Sequence, residues 1–284
     1  MQHITSIQQL RETLATYRQQ GQRIALVPTM GNLHAGHIHL VDTARAHADI
    51  VVSTIFVNPM QFGKNEDLES YPRTLEQDKV KLTAARCDVL FTPSTAEMYP
   101  TGHENNTVVS VPLVSSRYCG ASRPGHFNGV STVVCKLFNI VQPTTALFGL
   151  KDYQQFLVIS KMVADLCLPI RLLGVPTQRE ESGLALSSRN GYLSESEKQR
   201  AVALINTLRW AAQSLQEKQA IDSIEARAQE RLQAAGFRPD YFAICHAQTL
   251  EPARPQDLDL VILAAAYIGK TRLIDNIQLQ LSPA

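Results

Sequence analysis

The fold of this chain is decided by one stretch, Val27-Pro28-Thr29-Met30-Gly31-Asn32-Leu33-His34-Ala35-Gly36-His37. An apolar strand runs through a glycine-containing turn into a helix that begins with two histidines. The first N–H groups of a helix have no partner inside it, and together with the helix dipole they favour an anion. Histidines three residues apart share one helical face. The stretch therefore predicts a site for nucleotide phosphates, with a triphosphate tail as the ligand.

The two histidines have two other interpretations, a zinc-binding pair and a pair of polar surface residues. A zinc site needs a third protein ligand, and no cluster of His and Cys at metal-binding spacing accompanies this pair in the sequence.

The elements around the stretch predict a parallel sheet. Ile24–Val27 and Ile50–Val57 are typical of buried strands, and residues 36–48 between them have a helical pattern. Further helices are expected at 74–86, 128–141 and 152–166, and further strands at 88–92, 146–148 and 170–175. This alternation indicates a doubly wound α/β sheet, in which ligands bind where the strands end.

The pattern changes after Arg189. Ser194–Glu197 is a capping box at the start of a long helix that runs to about residue 216, and a second helix follows at 221–235. Apolar runs at 241–245, 260–267 and 271–274 predict strands, the last two joined as a hairpin at Gly269-Lys270. We expect two domains, residues 1–177 and a smaller α+β domain at 178–284.

The composition excludes several classes of protein. Among 284 residues, 27 Lys and Arg stand against 26 Asp and Glu, so the net charge of +1 gives no basis for general nucleic-acid binding. The chain start lacks a secretory signal, and no apolar run reaches membrane-spanning length. Five scattered cysteines without a Cys-x-x-Cys motif are typical of reduced thiols. We expect a cytoplasmic protein that binds neither nucleic acid nor membrane.

Polar side chains follow three other predicted elements. Asn58 and Gln61 come after the second strand, where amides suit hydroxyls and a carboxylate; an Asn-Pro turn is the alternative. Lys151 enters a helix where it could meet phosphate oxygens, with Gln155 one turn further; an ordinary helix start is the alternative. A phosphate clamp is predicted in a later loop, at Ser187, Ser188 and Arg189.

Six motifs, in order within residues 24–193, resemble the pantothenate synthetase family. They are Pro-Thr-Met-Gly-Asn-Leu-His-x-Gly-His from residue 28, Phe-Val-Asn-Pro-x-Gln-Phe from 56, Tyr-Pro-Arg-Thr from 71, Arg-Pro-Gly-His-Phe from 123, Lys-Asp-Tyr-Gln-Gln from 151 and Leu-Ser-Ser-Arg-Asn from 186. The resemblance implies a Rossmann-like nucleotidyltransferase domain and a small C-terminal domain that closes over the active site. It also implies a ligase that activates (R)-pantoate with ATP as pantoyl adenylate, releases pyrophosphate, and lets β-alanine displace AMP to give pantothenate.

The resemblance also implies residue roles. His34 and His37 would contact the ATP phosphates, with His37 as proton donor, and Lys151 and Arg189 would complete the catalytic set. The implied ATP-binding residues are Met30, Gly31, Asn32, Leu33, His34, Ala35, Gly36, His37, Gly149, Leu150, Lys151, Asp152, Gln178, Leu186, Ser187, Ser188 and Arg189.

Pantoate would lie in an uncharged pocket. Gln61 and Gln155 would hold its hydroxyls and carboxylate, Asn58 and Met30 would line the same pocket, and Gln61 would also contact β-alanine. Mg²⁺ is expected to bridge ATP oxygens, with Asp78 as a contact, and the family resemblance suggests a homodimer. None of the motifs supplies an obvious general base for the β-alanine step.

Two features depart from the family or stay open. The family often has Gly-Glu-Lys-Asp where this chain has Gly149-Leu150-Lys151-Asp152. We expect the side chain at position 150 to point away from ATP; if an acid normally orients Lys151 there, turnover should be lower. Residues 63–71 are expected to form a mobile lid that excludes water, with a passive surface loop as the alternative.

Three other functions compete with the ligase. A nucleotidyltransferase for a phosphorylated acceptor would call for extra Arg or Lys beside Asn58 and Gln61, where only Lys64 occurs. A regulatory module that binds nucleotide without catalysis is the second, and a tRNA-binding protein, disfavoured by the near-neutral charge, is the third.

Overall fold

The computed structural model describes residues 1–64 and 66–282, and the chain divides into two compact units. The first unit contains Met1–Ser115, Arg123–Leu150 and Gln155–Pro176, and the second contains Ser116–Ser122, Lys151–Gln154 and the chain from Thr177 onward. Two short segments that precede Thr177 in the sequence thus belong to the second unit.

A six-stranded parallel sheet forms the centre of the first unit. Its strands are β1 (Gln2–Ile4), β2 (Ile24–Thr29), β3 (Ile50–Ile55), β4 (Val89–Phe91), β5 (Thr145–Gly149) and β6 (Arg171–Val175). They lie in the order β1-β4-β3-β2-β5-β6, and every neighbouring pair is parallel. The doubly wound α/β sheet expected from the sequence is confirmed.

The helices between the strands are α1 (Ile7–Gln19), α2 (Ala35–Arg45), α3 (Leu75–Ala84), α4 (Thr95–Met98), α5 (Cys119–Ser122), α6 (His126–Val141) and α7 (Tyr153–Asp165). Short 3-10 helices cover Pro59–Gln61, His103–Asn105 and Leu150–Asp152. Helix α5 and the first two residues of α7 lie in segments of the second unit.

Strand β2 is central because it is apolar along its whole buried length. Ile24, Ala25, Leu26 and Val27 are all nearly inaccessible to solvent. Side chains alternate along a strand, so Ala25 and Val27 share one face, where they pack in a cluster with side chains of α2 and α3. Helix α6 also contacts β2. A strand that is buried on both faces has a continuous apolar sequence rather than an alternating one.

The order in which the chain adds strands to the sheet reverses between β2 and β5. From β2 the chain moves outward to β3 and β4, and it later returns to place β5 on the other side of β2. In a doubly wound sheet, such a reversal leaves an open crevice at the carboxyl ends of the two strands. The histidine stretch follows β2 directly and Gly149 ends β5, so the sequence motifs stand at this reversal.

The second unit is built on a three-stranded antiparallel sheet. Strands β7 (Arg238–His246), β8 (Asp259–Ile268) and β9 (Thr271–Gln280) pair in sequence order, with Gly269-Lys270 as the predicted hairpin turn between β8 and β9. Helices α8 (Glu195–Gln216) and α9 (Ile221–Ala234) pack their apolar residues against this sheet, and a 3-10 helix covers Ser188–Tyr192. Ser194 and Glu197 form the capping box expected at the start of α8.

Several elements differ from the sequence expectations, including β9, which extends six residues beyond its expected end at residue 274. Strand β1 and helices α4 and α5 were not expected, because three or four residues are too few to show a period. Strand β3 ends at Ile55, two residues before the expected end. No described helix is both long and apolar enough to cross a membrane.

Candidate active site

His34 and His37 cap the helix that they begin. The Nδ1 atom of His34 accepts a hydrogen bond from the Gly36 N–H at 3.1 Å, and the Nδ1 atom of His37 accepts one from the His34 N–H at 3.3 Å. The centroids of the two rings are 4.0 Å apart, and their planes are tilted by 37°. A neutral imidazole that accepts at Nδ1 carries its proton on Nε2. The cap therefore makes both histidines donors through Nε2, as ligands with phosphate oxygens require.

The loop before these histidines turns through two left-handed residues. Gly31 has φ +83° and Asn32 has φ +49°, a region in which glycine and asparagine are the least strained residues. A Cβ on Gly31 would lie 3.0 Å from the Ile55 side chain and 3.3 Å from a carboxylate oxygen of Asp78. The turn that redirects the chain from β2 into α2 thus has little room for a side chain.

Asp78 and Lys81 on α3 hold this loop through hydrogen bonds to its backbone. The carboxylate of Asp78, which is fully buried, accepts the N–H groups of Asn32 at 2.9 Å and Leu33 at 2.8 Å. It also accepts the Thr74 hydroxyl at 3.2 Å, and the Lys81 ammonium donates to the Leu33 carbonyl at 2.6 Å. One carboxylate and one ammonium of α3 thus fix the backbone that leads to His34.

The expected Mg²⁺ contact of Asp78 stays untested, and the structure gives this carboxylate a different set of partners. Both of its oxygens accept hydrogen bonds from the protein. Within residues 1–64 and 66–282, no group of three or more His, Cys, Asp or Glu side chains could hold a metal ion.

The amide segment after β3 meets the histidine loop. The Gln61 side-chain nitrogen lies 3.0 Å from the Met30 sulfur, and its oxygen accepts from the Asn58 amide at 3.2 Å. Sulfur is a weak acceptor, so a hydroxyl or carboxylate oxygen would be a better partner for the Gln61 amide. The Asn-Pro turn is also present, because Asn58 caps the 3-10 helix Pro59–Gln61. The segment is therefore both a turn and a source of amide groups.

Asn58 itself is almost wholly buried and its amide is saturated. Its nitrogen also donates to the Gly129 carbonyl at 3.0 Å, and its oxygen accepts the Tyr99 hydroxyl at 2.8 Å. Burial raises the pKa of Tyr99 to about 12, so this hydroxyl keeps its proton and stays a donor at neutral pH. Asn58 thus joins the segment 58–61 to α6 and supports the orientation of Gln61.

Gly129 lets α6 lie directly against this segment. A Cβ at this position would fall 2.3 Å from the Met60 carbonyl oxygen and 2.6 Å from the Gln61 nitrogen. No side chain fits at such distances without displacing backbone.

Leu150, the departure from the family pattern, packs on β6. A Cβ on Gly174 would lie 2.5 Å from a methyl carbon of Leu150, so the leucine occupies the space above that glycine. An apolar side chain suits this place on the sheet, and Leu150 needs no polar partner there.

The second unit contains the expected site residues Lys151, Asp152, Gln178, Leu186, Ser187, Ser188 and Arg189, whereas Gly149 and Gln155 belong to the first unit. Lys151 has its ammonium 3.9 Å from the Asp152 carboxylate, and its carbonyl accepts the Asn276 amide at 2.9 Å. Gln155 is half-buried on α7. Its neighbour Gln154 is buried, and its amide bonds to the backbone of Arg117 and Cys119.

The predicted phosphate clamp sits on a tight loop. The Leu186 N–H donates to the Gln178 carbonyl at 2.9 Å, which closes a hairpin-like turn before Ser187. The Ser187 hydroxyl accepts the Arg189 N–H at 3.2 Å and so caps the 3-10 helix Ser188–Tyr192. Arg179, next to Gln178, makes a bidentate ion pair with the buried Asp275 at 2.6 and 2.9 Å. The loop is therefore anchored to β9 on one side and capped on the other.

Comparisons with known proteins show the family of this chain. The family described as pantoate–β-alanine ligase matches residues 2–278. The chain belongs to the pantoate–β-alanine ligase family.

Relatives of this ligase family align along their whole length. A pantothenate synthetase from Colwellia psychrerythraea is 56% identical, covering 99% of this chain and 100% of the relative. The crystal structure of pantothenate synthetase from Thermus thermophilus superposes with a TM-score of 0.92 at 43% identity and covers 98% of this chain and 99% of that one. A pantoate–β-alanine ligase from Francisella tularensis, complexed with β,γ-ATP and β-alanine, superposes with a TM-score of 0.83 at 36% identity and covers 98% and 97%.

Sequence reasoning missed several residues that hold the site. The spacing of Asp78 and Lys81 gave no sign that they fix the histidine loop, and Arg123 and His126 appeared only inside a family motif. Arg123 and His126 both contact the Gln61 carbonyl, from 62 and 65 residues away in sequence. The one signal in the sequence for these two residues was the predicted helix that begins shortly after Gly125.

We expect Asp78→Asn to lower the free energy of unfolding by about 2 kcal/mol in metal-free buffer, because an amide NH₂ would then face a buried backbone N–H. Urea unfolding with excess EDTA measures this, and Glu76→Gln, an exposed acid on the same helix, is the control. If stability were unchanged without metal and only the Mg²⁺ dependence of turnover moved, a metal-binding role would be correct instead.

Gly129→Ala should lower the free energy of unfolding by about 1–3 kcal/mol, because the added methyl would push Met60 and Gln61 away from α6. The same displacement should weaken the binding of pantoate, the ligand expected at Gln61. Gly191→Ala is the control, since a Cβ there meets nothing within 4 Å. Wild-type stability and activity of Gly129→Ala would show that the two backbones separate freely.

Proposed function

We propose that this protein joins (R)-pantoate to β-alanine at the expense of ATP, giving pantothenate, AMP and pyrophosphate through a pantoyl adenylate. One observation carries the proposal: the Met30–Gln61 contact brings the side-chain amides of Asn58 and Gln61 next to the loop that leads into a helix N-terminus with two Nε2 donors. Membership of the pantoate–β-alanine ligase family supports this reaction. The Francisella tularensis relative was crystallised with an ATP compound and β-alanine.

In the first step, a pantoate carboxylate oxygen attacks the α-phosphorus of ATP and pyrophosphate leaves. Negative charge grows on the phosphoryl oxygens and on the leaving group, so catalysis requires positioned donors and cations. His34 and His37 would supply two N–H donors beside the free N–H groups of α2, with His37 as the proton donor to the leaving group. Met30, Gly31, Asn32, Leu33, Ala35 and Gly36 would approach ATP through the loop and the helix start.

Pantoate would bind to the amide groups beside the Met30 sulfur. Gln61 and Gln155 would hold its hydroxyls and carboxylate, and Asn58 would act by supporting Gln61. An amide orients the carboxylate without the strong pairing of a cation, which would lower the nucleophilicity of the attacking oxygen. In the second step the β-alanine amine, which Gln61 would also contact, attacks the acyl carbon and AMP leaves with the electron pair of the broken acyl–oxygen bond.

Further ATP contacts are proposed in a second set of residues. Lys151 and Arg189 would neutralise phosphate charge, and the hydroxyls of Ser187 and Ser188 would donate to phosphate oxygens. The remaining proposed contacts are Gly149, Leu150, Asp152, Gln178 and Leu186. The packing of Leu150 on Gly174 supports a role for its backbone alone.

Mg²⁺ is proposed to arrive with ATP. The described residues offer no cluster of acids to cage an ion, and Asp78 is occupied by backbone donors. A magnesium ion keeps most of its waters and binds mainly to phosphate oxygens in many nucleotide sites, which fits this donor set. A homodimer and a cytoplasmic location are proposed on the family resemblance alone.

The reaction itself is tested by incubating the protein with ATP, Mg²⁺, pantoate and β-alanine and measuring AMP. We expect AMP only when both organic substrates are present, and exchange of labelled pyrophosphate into ATP that depends on pantoate. Tight ATP binding without exchange would identify a regulatory module, and transfer to a phosphorylated acceptor would identify a plain nucleotidyltransferase.

His37→Asn should lower the rate of adenylate formation by about 10²–10³-fold while leaving the fold intact. The asparagine oxygen can still accept the His34 N–H, whereas the Nε2 donor is lost. Pantoate-dependent pyrophosphate exchange measures the rate, and His39→Ala, an exposed histidine on the same helix, is the control. A wild-type rate would remove His37 from the chemistry.

Lys151→Ala should lower the same exchange by about 10²-fold and raise the KM for ATP, since a cation near phosphate is lost. Lys161→Ala removes a surface lysine of α7 that pairs with Asp165, and it should change neither quantity. Equal effects of the two variants would contradict a role for Lys151 in ATP binding.

A further inference from the structure

Two side chains hold the backbone carbonyl of Gln61. The Nδ1 atom of His126 lies 2.8 Å from this oxygen, and the Nη2 atom of Arg123 lies 3.3 Å from it. His126 is the first residue of α6, Arg123 lies three residues before it, and Gly129 of the same helix lies against the backbone of Met60 and Gln61. The residue whose amide is proposed to hold the substrate thus has its own backbone fixed from one helix.

The contacts determine which nitrogen of His126 carries the proton. The Arg123 Nη1 atom lies 3.0 Å from the His126 Nε2 atom. A guanidinium has only donors, so Nε2 must accept, and the neutral imidazole then carries its proton on Nδ1. This Nδ1–H is the group that donates to the Gln61 carbonyl. Arg123 therefore sets the donor that holds Gln61.

The same guanidinium binds Glu66 in the segment 63–71. Arg123 donates from Nε to one Glu66 oxygen at 2.6 Å and from Nη2 to the other at 2.5 Å. Both side chains are largely buried, with 19% and 24% of their surface exposed, which strengthens the pair over a surface one. Burial opposes ionisation of Glu66, yet the hydrogen bonds and charge of Arg123 hold its pKa below the usual range.

We propose that Glu66, Arg123 and His126 are positioning residues for pantoate: they fix the Gln61 carbonyl and, through it, the direction of its side-chain amide. This inference rests on the proposed substrate-binding role of Gln61. A shift of a binding group by a fraction of an ångström is enough to weaken an oriented contact. The ion pair joins Glu66 to the same arginine that contacts the Gln61 carbonyl and His126, so the affinity for pantoate should also depend on Glu66.

A matched pair of substitutions tests the role of His126. The amide nitrogen of His126→Asn takes the place of Nδ1 and can still donate to the Gln61 carbonyl, whereas that of His126→Gln takes the place of Nε2 and cannot. We expect His126→Gln to raise the KM for pantoate about tenfold and His126→Asn to raise it less than threefold, with the KM for ATP unchanged in both. Steady-state kinetics with either substrate saturating measures the four values.

Equal effects of the two substitutions, or equal changes in the KM for ATP and pantoate, would overturn the proposal. Gln61→Ala separates this failure from a failure of the proposed function. If Gln61→Ala raises the KM for pantoate while the His126 variants behave alike, only the positioning role is wrong. If Gln61→Ala leaves that KM unchanged, the role of Gln61 and the inference built on it both fail.

The ion pair is tested by Glu66→Gln, which keeps the shape of the side chain and removes its charge. We expect the KM for pantoate to rise about fivefold, with thermal unfolding close to wild type. Asp49→Asn is the control, because it removes a carboxylate from the exposed Arg23–Asp49 pair and should change no kinetic value. If Glu66→Gln behaves like Asp49→Asn, Glu66 takes no part in positioning.

Discussion

The carboxylate of Asp78 accepts the N–H groups of Asn32 and Leu33 in a place that water does not reach. The turn formed by Gly31 and Asn32 has a left-handed backbone, and its amides would be costly to bury without an acceptor. The positions of His34 and His37 depend on this contact, since the turn sets where α2 begins. The proposed phosphate site at the start of α2 thus depends on a buried carboxylate that holds the preceding turn.

The histidines add a second dependence. Most helices are capped by Ser, Thr, Asp or Asn, whereas here the cap and its reciprocal partner are both imidazoles. The same two side chains therefore cap the start of the helix and, in the proposed site, would donate to the ATP phosphates. Under the proposed function, a substitution at His34 or His37 would therefore affect both the stability of the helix start and the binding of ATP.

Much of the fold could be predicted because its signals are local. The apolar run at Ile24–Val27, the capping box at Ser194 and the turn at Gly269-Lys270 each depend on residues near in sequence. Strand β1 gave no such signal, because Gln2–Ile4 is too short to show alternation and is fixed by its pairing with β4.

The candidate site was predictable in its chemistry but not in its supports. The spacing of His34 and His37 and the amides at Asn58 and Gln61 were visible as motifs. The contacts that hold them were not, because Asp78 reaches Asn32 across 46 residues and His126 reaches Gln61 across 65. Such hydrogen bonds are set by the packing of α3 and α6, and local spacing carries no information on that packing.

The packing of Leu150 on Gly174 has a consequence for the edge of the sheet. Glycine leaves the backbone of β6 bare, and β6 is the outer neighbour of β5 in the described sheet. The leucine methyl groups cover that bare patch and keep solvent from the peptide groups beneath. Amide protons where Phe148 meets Gly174 should therefore exchange with deuterium more slowly than those of an uncovered outer strand.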